Sequence, residues 1–125
     1  MLKVYVAGAY SDDNVLGVLR NIGRGETTAA ELFSMGFAPF TPWHDKSFVI
    51  EHWADKFSVD MFYNYSIEWL KVSDCMLIVA NTKGLKDWQD STGTLKEIEV
   101  AKENNIPVFF HIRDLVKYRD DLYRG

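Results

Sequence analysis

The order of apolar and amphipathic segments predicts an α/β fold. We expect a single domain over residues 1–125, with a mainly parallel sheet flanked by helices (Rossmann- or flavodoxin-like). Three observations predict it. Cys75 to Ala80 (Cys-Met-Leu-Ile-Val-Ala) is an unbroken apolar run, as expected of a parallel strand buried on both faces. Runs of this kind alternate with segments whose apolar residues recur at three and four positions, which is the βαβ pattern. The chain has 125 residues, the size of one ordinary domain with enough apolar content for a core.

Leu2 to Ala7 reads as the first strand and ends at Gly8. Val15 to Met35 has helical spacing through Val15, Leu19, Ile22, Ala29, Leu32 and Phe33, with Gly36 as its stop. Gly23 and Gly25 weaken its middle, which predicts a kink or a late start. Phe37 to Thr41 is the second strand, ended by Pro42. Trp43 to Ser58 is irregular, aromatic and charged, a candidate cover for a pocket. Val59 to Val72 is helical, Cys75 to Ala80 is the third strand, and Asn81 to Asp90 is a loop. A helix containing Glu97 follows, then Ile106 to Phe110 as a fourth strand, and a charged tail of fifteen residues that includes a short helix.

In parallel sheets ligands bind beyond the carboxyl ends of the strands. Here those ends are Gly8-Ala9-Tyr10, Thr41-Pro42-Trp43-His44-Asp45 and the stretch from Asn81 to Gly93. The segment Asp90-Ser91-Thr92-Gly93-Thr94-Leu95-Lys96-Glu97 is the most informative one. It reads as a polar turn opening a helix, with a carboxylate one turn in. The helical neighbours of Glu97 are Gly93, Thr94, Val100 and Ala101, none of which offers a positive charge. Glu99, by contrast, has Lys96 and Lys102 at those spacings. A carboxylate on a small apolar face behind a helix N-terminus is partly desolvated, which suits a nucleophile or an acid/base. The Ser91 hydroxyl with the Gly93 and Thr94 amides matches both a phosphate cradle and a plain helix cap, and the sequence does not separate the two.

The bulk numbers narrow the partners. Net charge is −4, and no run of Lys or Arg marks a nucleic-acid polymer as ligand. No stretch approaches the roughly 20 apolar residues of a membrane span. The N-terminus runs directly into a strand pattern, which argues against a signal peptide. The single cysteine, Cys75, excludes a disulfide within the chain and fits a reducing cytoplasm. It reads as a buried small hydrophobe rather than a nucleophile. His44 beside Asp45 is a weak metal signal, since no second histidine falls at ligand spacing; the pair reads as pocket rim or sugar contact. Trp43, Trp53 and Trp88 have the area to stack on a base, yet large aromatics more often fill cores. Arg20 and Arg24, one helical turn apart, reach either a phosphate or the solvent.

The chain resembles the nucleoside 2-deoxyribosyltransferase superfamily, including the 2'-deoxynucleoside 5'-monophosphate N-glycosidases and their small, phage-rich relatives. The matching pieces run nearly end to end. They are Val4-Tyr5-Val6-Ala7-Gly8-Ala9-Tyr10, Glu68-Trp69-Leu70 with Ser73-Asp74, and the pattern Trp88, Ser91, Gly93, Glu97, followed by Ala101. The resemblance implies a deoxyribosyltransferase-type fold and cleavage of an N-glycosidic bond, by hydrolysis or base transfer. Glu97 is implied as the nucleophile that forms a glycosyl ester, and Tyr5 as its orienter. Ser91 is implied as a holder of a 5'-phosphate, in agreement with the cradle read from the Gly93 and Thr94 amides, and Gly8, Ala9 and Tyr10 are expected to line the sugar site, with His44 and Asp45 at its rim. No metal or redox cofactor is implied, and the family forms homodimers or larger assemblies. One departure stands out. Ser66 occupies the place where the family usually carries an aspartate associated with proton transfer or sugar recognition. Asp60 points to another face, which leaves Asp45, Asp87 or Asp90 as loop carboxyls. A non-catalytic module that binds a nucleotide or nucleotide signal is the alternative, and an interaction domain with exposed aromatics is a third.

Overall fold

The computed structural model describes residues 1–9, 15–45, 57–80 and 87–125, with only the backbone at 15, 44 and 45. Four strands form one parallel sheet: β1 (Lys3–Gly8), β2 (Ala38–Phe40), β3 (Cys75–Val79) and β4 (Val108–Phe109). Their order across the sheet is β2-β1-β3-β4. Among the described residues four helices flank it: α1 (Val15–Ser34), α2 (Val59–Lys71), α3 (Thr92–Glu103) and α4 (Ile112–Arg124). This is the α/β class that the alternating segments predict.

Side chains along a strand point alternately to opposite faces, and that alternation sorts the core. Val4 and Val6 join Cys75 and Leu77 under Ile22 and Leu32 of α1 and Leu115 of α4. Tyr5 and Ala7 join Met76 and Ile78 under Ile67 and Leu70 of α2 and Ile98 and Ala101 of α3. So α1 and α4 cover one face, and α2 and α3 the other. The chain leaves β1 in one direction to reach β2 and then crosses back past β1 to β3. That reversal opens a crevice between the carboxyl ends of β1 and β3.

The glycines expected to weaken α1 do not interrupt it, and the helix runs unbroken from Val15 to Ser34. Gly25 explains part of this. A Cβ there would fall inside the indole ring of Trp43, with Cη2 at 2.6 Å. The glycine is therefore a socket for a tryptophan that is only 2 % exposed. Gly36 does end the helix: it adopts φ 91°, and Phe37 N–H donates to Leu32 O while Gly36 N–H donates to Phe33 O. This paired closure needs a left-handed residue, which glycine adopts at little cost.

Two strands are shorter than expected because their ends have other bonds to make. Phe37 closes α1, so β2 begins at Ala38. Ile106 N–H donates to Ala101 O to close α3, and Pro107 has no N–H, so β4 begins at Val108. The tail expected to hold a short helix forms α4, 13 residues long. Ser73 and Asp74 serve the opposite end of the sheet from the crevice. The Ser73 hydroxyl donates to Trp69 O at 2.8 Å, and Asp74 Oδ2 accepts the Lys3 N–H at 2.7 Å. Among the described residues no helix is long and apolar enough to cross a membrane.

Candidate active site

Three elements meet at the crevice: the end of β1, the end of β3 and the first turn of α3. Gly8 pairs with Val79, and a Cβ on Gly8 would lie 2.9 Å from Val79 O. Only glycine fits this close approach of backbones. Ala9, which follows, is buried. On the α1 side, Arg24 Nη1 donates to Ala80 O at 3.4 Å, which holds one guanidinium at the end of β3. Arg20, its companion in the sequence, is exposed.

Ser91 is the N-cap of α3, and its hydroxyl accepts the Thr94 N–H at 3.2 Å. Thr94 is 1 % exposed. Its Oγ1 lies 2.9 Å from Gly8 O and 3.0 Å from Ser91 Oγ. A hydroxyl carries one proton, and a carbonyl can only accept. With the Thr94 proton on Gly8 O, the contact between the two hydroxyls is made by the Ser91 proton. Ser91 then directs its proton inward. It donates to a bound anion only by turning away from Thr94; with the Thr94 amide on Ser91 Oγ and the Leu95 amide on Ser91 O, the Thr92 and Gly93 amides are left as the donors at the helix start. A Cβ on Gly93 would meet only Ser91 Oγ, at 4.0 Å, so packing does not require glycine there.

Glu97 follows Thr94 by one turn. Its flanking residues Ile98 and Ala101 pack in the same cluster as Tyr5. Tyr5 itself is 0 % exposed, and its ring stacks on Phe40 at 5.8 Å, which stacks in turn on Trp69 at 5.3 Å. The Tyr5 hydroxyl and Glu97 Oε2 are both shut off from solvent. Burial of a polar atom costs free energy, and side chains that bear this cost gather at functional sites.

Tyr63 of α2 escaped the sequence reading. It packs against this cluster, and Lys96 Nζ lies 5.8 Å from its ring centroid. Burial, and then the charges of Glu97, Glu99 and Glu103, push its hydroxyl above the ordinary tyrosine pKa, so it stays protonated and able to donate. A signal was available: Tyr63 lies three residues before Ser66 on one helix. Ser66 is buried, at 7 % exposure. Thr41, at a strand end named from the sequence, is buried just past β2.

Other expected residues do not converge. The Asp87 and Asp90 side chains cap a short 3-10 turn, Trp88–Asp90, where Asp87 Oδ1 accepts the Trp88 N–H at 2.8 Å and Asp90 Oδ2 accepts the Asp87 N–H at 3.2 Å. Asp60 is exposed in the first turn of α2. No aspartate is buried among the described residues. Trp43 is core, and Trp88 leans on Phe110 at 5.1 Å. Backbone at His44 and Asp45 forms part of a 3-10 turn beyond β2; their side chains lie outside the described residues, as do Tyr10 and Trp53. Among the described residues no group of three or more His, Cys, Asp or Glu stands at metal-binding distance.

No family model matches the chain, and no curated protein matches it either. A solved structure does. The chain is similar in fold to a 2-deoxyribosyltransferase of the psychrotolerant bacterium Bacillus psychrosaccharolyticus, described as a biocatalyst for nucleoside synthesis. The TM-score is 0.56 at 19 % identity, over 85 % of this chain and 69 % of that one.

Proposed function

We propose that this chain cleaves the N-glycosidic bond of a nucleoside, with a (deoxy)nucleoside 5'-monophosphate preferred and hydrolysis favoured over base transfer. The observation that carries the reading is that two polar atoms, Tyr5 Oη and Glu97 Oε2, are both shut off from solvent, on β1 and on the helix whose Ile98 and Ala101 pack in the Tyr5 cluster. The fold shared with a 2-deoxyribosyltransferase supports it.

Glu97 attacks the anomeric carbon, and the bond from that carbon to the base nitrogen breaks. The base leaves with the electron pair and takes up a proton. The resulting ester is then opened by water, or by a second base, at the same carbon. Two inversions return the original configuration, as in retaining glycosidases. Tyr5 orients the carboxylate, the first turn of α3 holds the phosphate, and Gly8 and Ala9 line the sugar with Tyr10, His44 and Asp45. Glu97 needs no metal for this step. In the proposed form the 125 residues act as one domain in a reducing, cytoplasmic compartment. Exposed Met61 and Trp69 on α2, with Val72 at its C-cap, support a homo-oligomer.

The second reading is a module that binds nucleotide without turnover. Buried Ser66 favours it, because a serine hydroxyl is a poor proton donor to a departing base. Chromatography of free base decides between them. Wild type and Glu97→Gln are incubated with a panel of nucleosides and 5'-monophosphates. Release by wild type, lowered at least roughly 1,000-fold in the variant, is the expected result. Ligand-induced stabilisation without any release sinks the enzyme reading in favour of the module.

A further inference from the structure

The hydroxyl of Thr94 ties α3 to β1 across 86 positions of sequence, through its 2.9 Å bond to Gly8 O. The two elements are not neighbours within the sheet, since β1 pairs with β2 and β3. Tyr5 lies three residues before one end of this tie, and Glu97 three residues after the other. Thr94 is also 1 % exposed, so its hydroxyl is shielded from competing water. Its Oγ1 meets both Gly8 O and Ser91 Oγ, and Ser91 Oγ in turn accepts the Thr94 amide. The helix start, the cap and the strand end are therefore locked by one side chain.

We propose that Thr94 is a positioning residue rather than a ligand for phosphate: it sets the gap between β1 and α3, and so the placement of Glu97 against Tyr5. The proposal rests on the glycosidic reading for its consequence in turnover, but its geometric half stands without it. The magnitude follows from contact distances. A carbon sits about 3.3–3.6 Å from a carbonyl oxygen, against 2.9 Å for this hydroxyl, so Thr94→Val opens the gap by roughly half an ångström. Active-site groups tolerate about that much before rate falls, and a misplacement of about 1 Å costs on the order of a hundredfold.

The test combines crystal structures of wild type and Thr94→Val, superposed on β1 and β3, with kcat and KM for base release. Thr94→Ser is the conservative variant, and Thr94→Ala replaces valine should that protein fail to fold. The expected result is a first turn of α3 displaced from Gly8 in Thr94→Val, a kcat about tenfold lower with KM moved far less, and most of kcat restored in Thr94→Ser. A lowered kcat with no displacement overturns the proposal, because Thr94 then acts on the substrate directly. Displacement with unchanged kcat overturns it too, because the gap then does not govern the chemistry. If wild type releases no base, the glycosidic reading has failed, and the displacement alone decides whether Thr94 sets the gap.

Discussion

Gly25→Ala and Gly23→Ala make the same chemical change two residues apart in α1, and the structure gives them opposite signs. In a helix interior alanine is favoured over glycine by about 1 kcal/mol. At Gly23 nothing lies within 4 Å of the added methyl, so Gly23→Ala gains most of that difference, roughly 0.5–1 kcal/mol. At Gly25 the methyl lands inside the six-membered ring of Trp43, a side chain that is 2 % exposed and packed among Val4, Ile22 and Leu32. Overpacking costs about 1–3 kcal/mol, and full loss of a buried tryptophan's packing about 3–5 kcal/mol. Less the helix gain of about 1 kcal/mol, Gly25→Ala destabilises by up to about 2 kcal/mol if the ring only shifts and by about 2–4 kcal/mol if it is expelled. Urea denaturation reads both changes: with m unchanged, the midpoint rises for Gly23→Ala and falls for Gly25→Ala. Trp43→Phe removes the ring atoms that clash, so it rescues Gly25→Ala in a double-mutant cycle. A midpoint for Gly25→Ala equal to or above wild type would refute the socket.

Two further outcomes follow from the site and the core. Gly93→Ala adds a methyl that meets only Ser91 Oγ at 4.0 Å, so the fold should hold or gain up to about 1 kcal/mol. Calorimetry should show weaker binding of a 5'-monophosphate with the nucleoside unaffected; equal affinities in both proteins would count against phosphate at this turn. Burial, and next the charge of Asp74, push the Cys75 thiol up to about 12. The folded chain therefore keeps a proton that the unfolded chain loses above its ordinary thiol pKa, and stability falls as pH rises from that value towards 12. Urea midpoints between pH 8 and pH 10.5 should decline more steeply in wild type than in Cys75→Ala, and parallel declines would contradict this origin.

Much of the fold was legible in local sequence because its signals act locally. Cys75 to Val79 could only be a strand buried on both faces, since nothing in that run tolerates water. Gly36 stops α1 because a left-handed residue is needed within one turn of the helix end, and glycine is the residue that takes it easily. Glu97 stood out because its neighbours at three and four positions are fixed by helical geometry alone.

Two of the misses involve partners distant in the chain, and one a local cap. Gly25 looked like a weakness because Trp43, which fills its place, is 18 residues on, beyond β2. Asp87 and Asp90 looked like available acids, but each is engaged with the backbone of its own turn. Tyr63 went unnoticed because its interest comes from α3, another helix packed beside it.

The sequence by itself determined which segments are strands and helices, where α1 stops, and that Glu97 lies on an apolar helical face, because periodicity and caps are properties of neighbours. Only the tertiary structure decided the order β2-β1-β3-β4, the Trp43 socket, and the tie from Thr94 to Gly8, because each depends on which distant surfaces meet. The direction of the Ser91 proton belongs to that second group, for it is set by a carbonyl on another strand that can only accept.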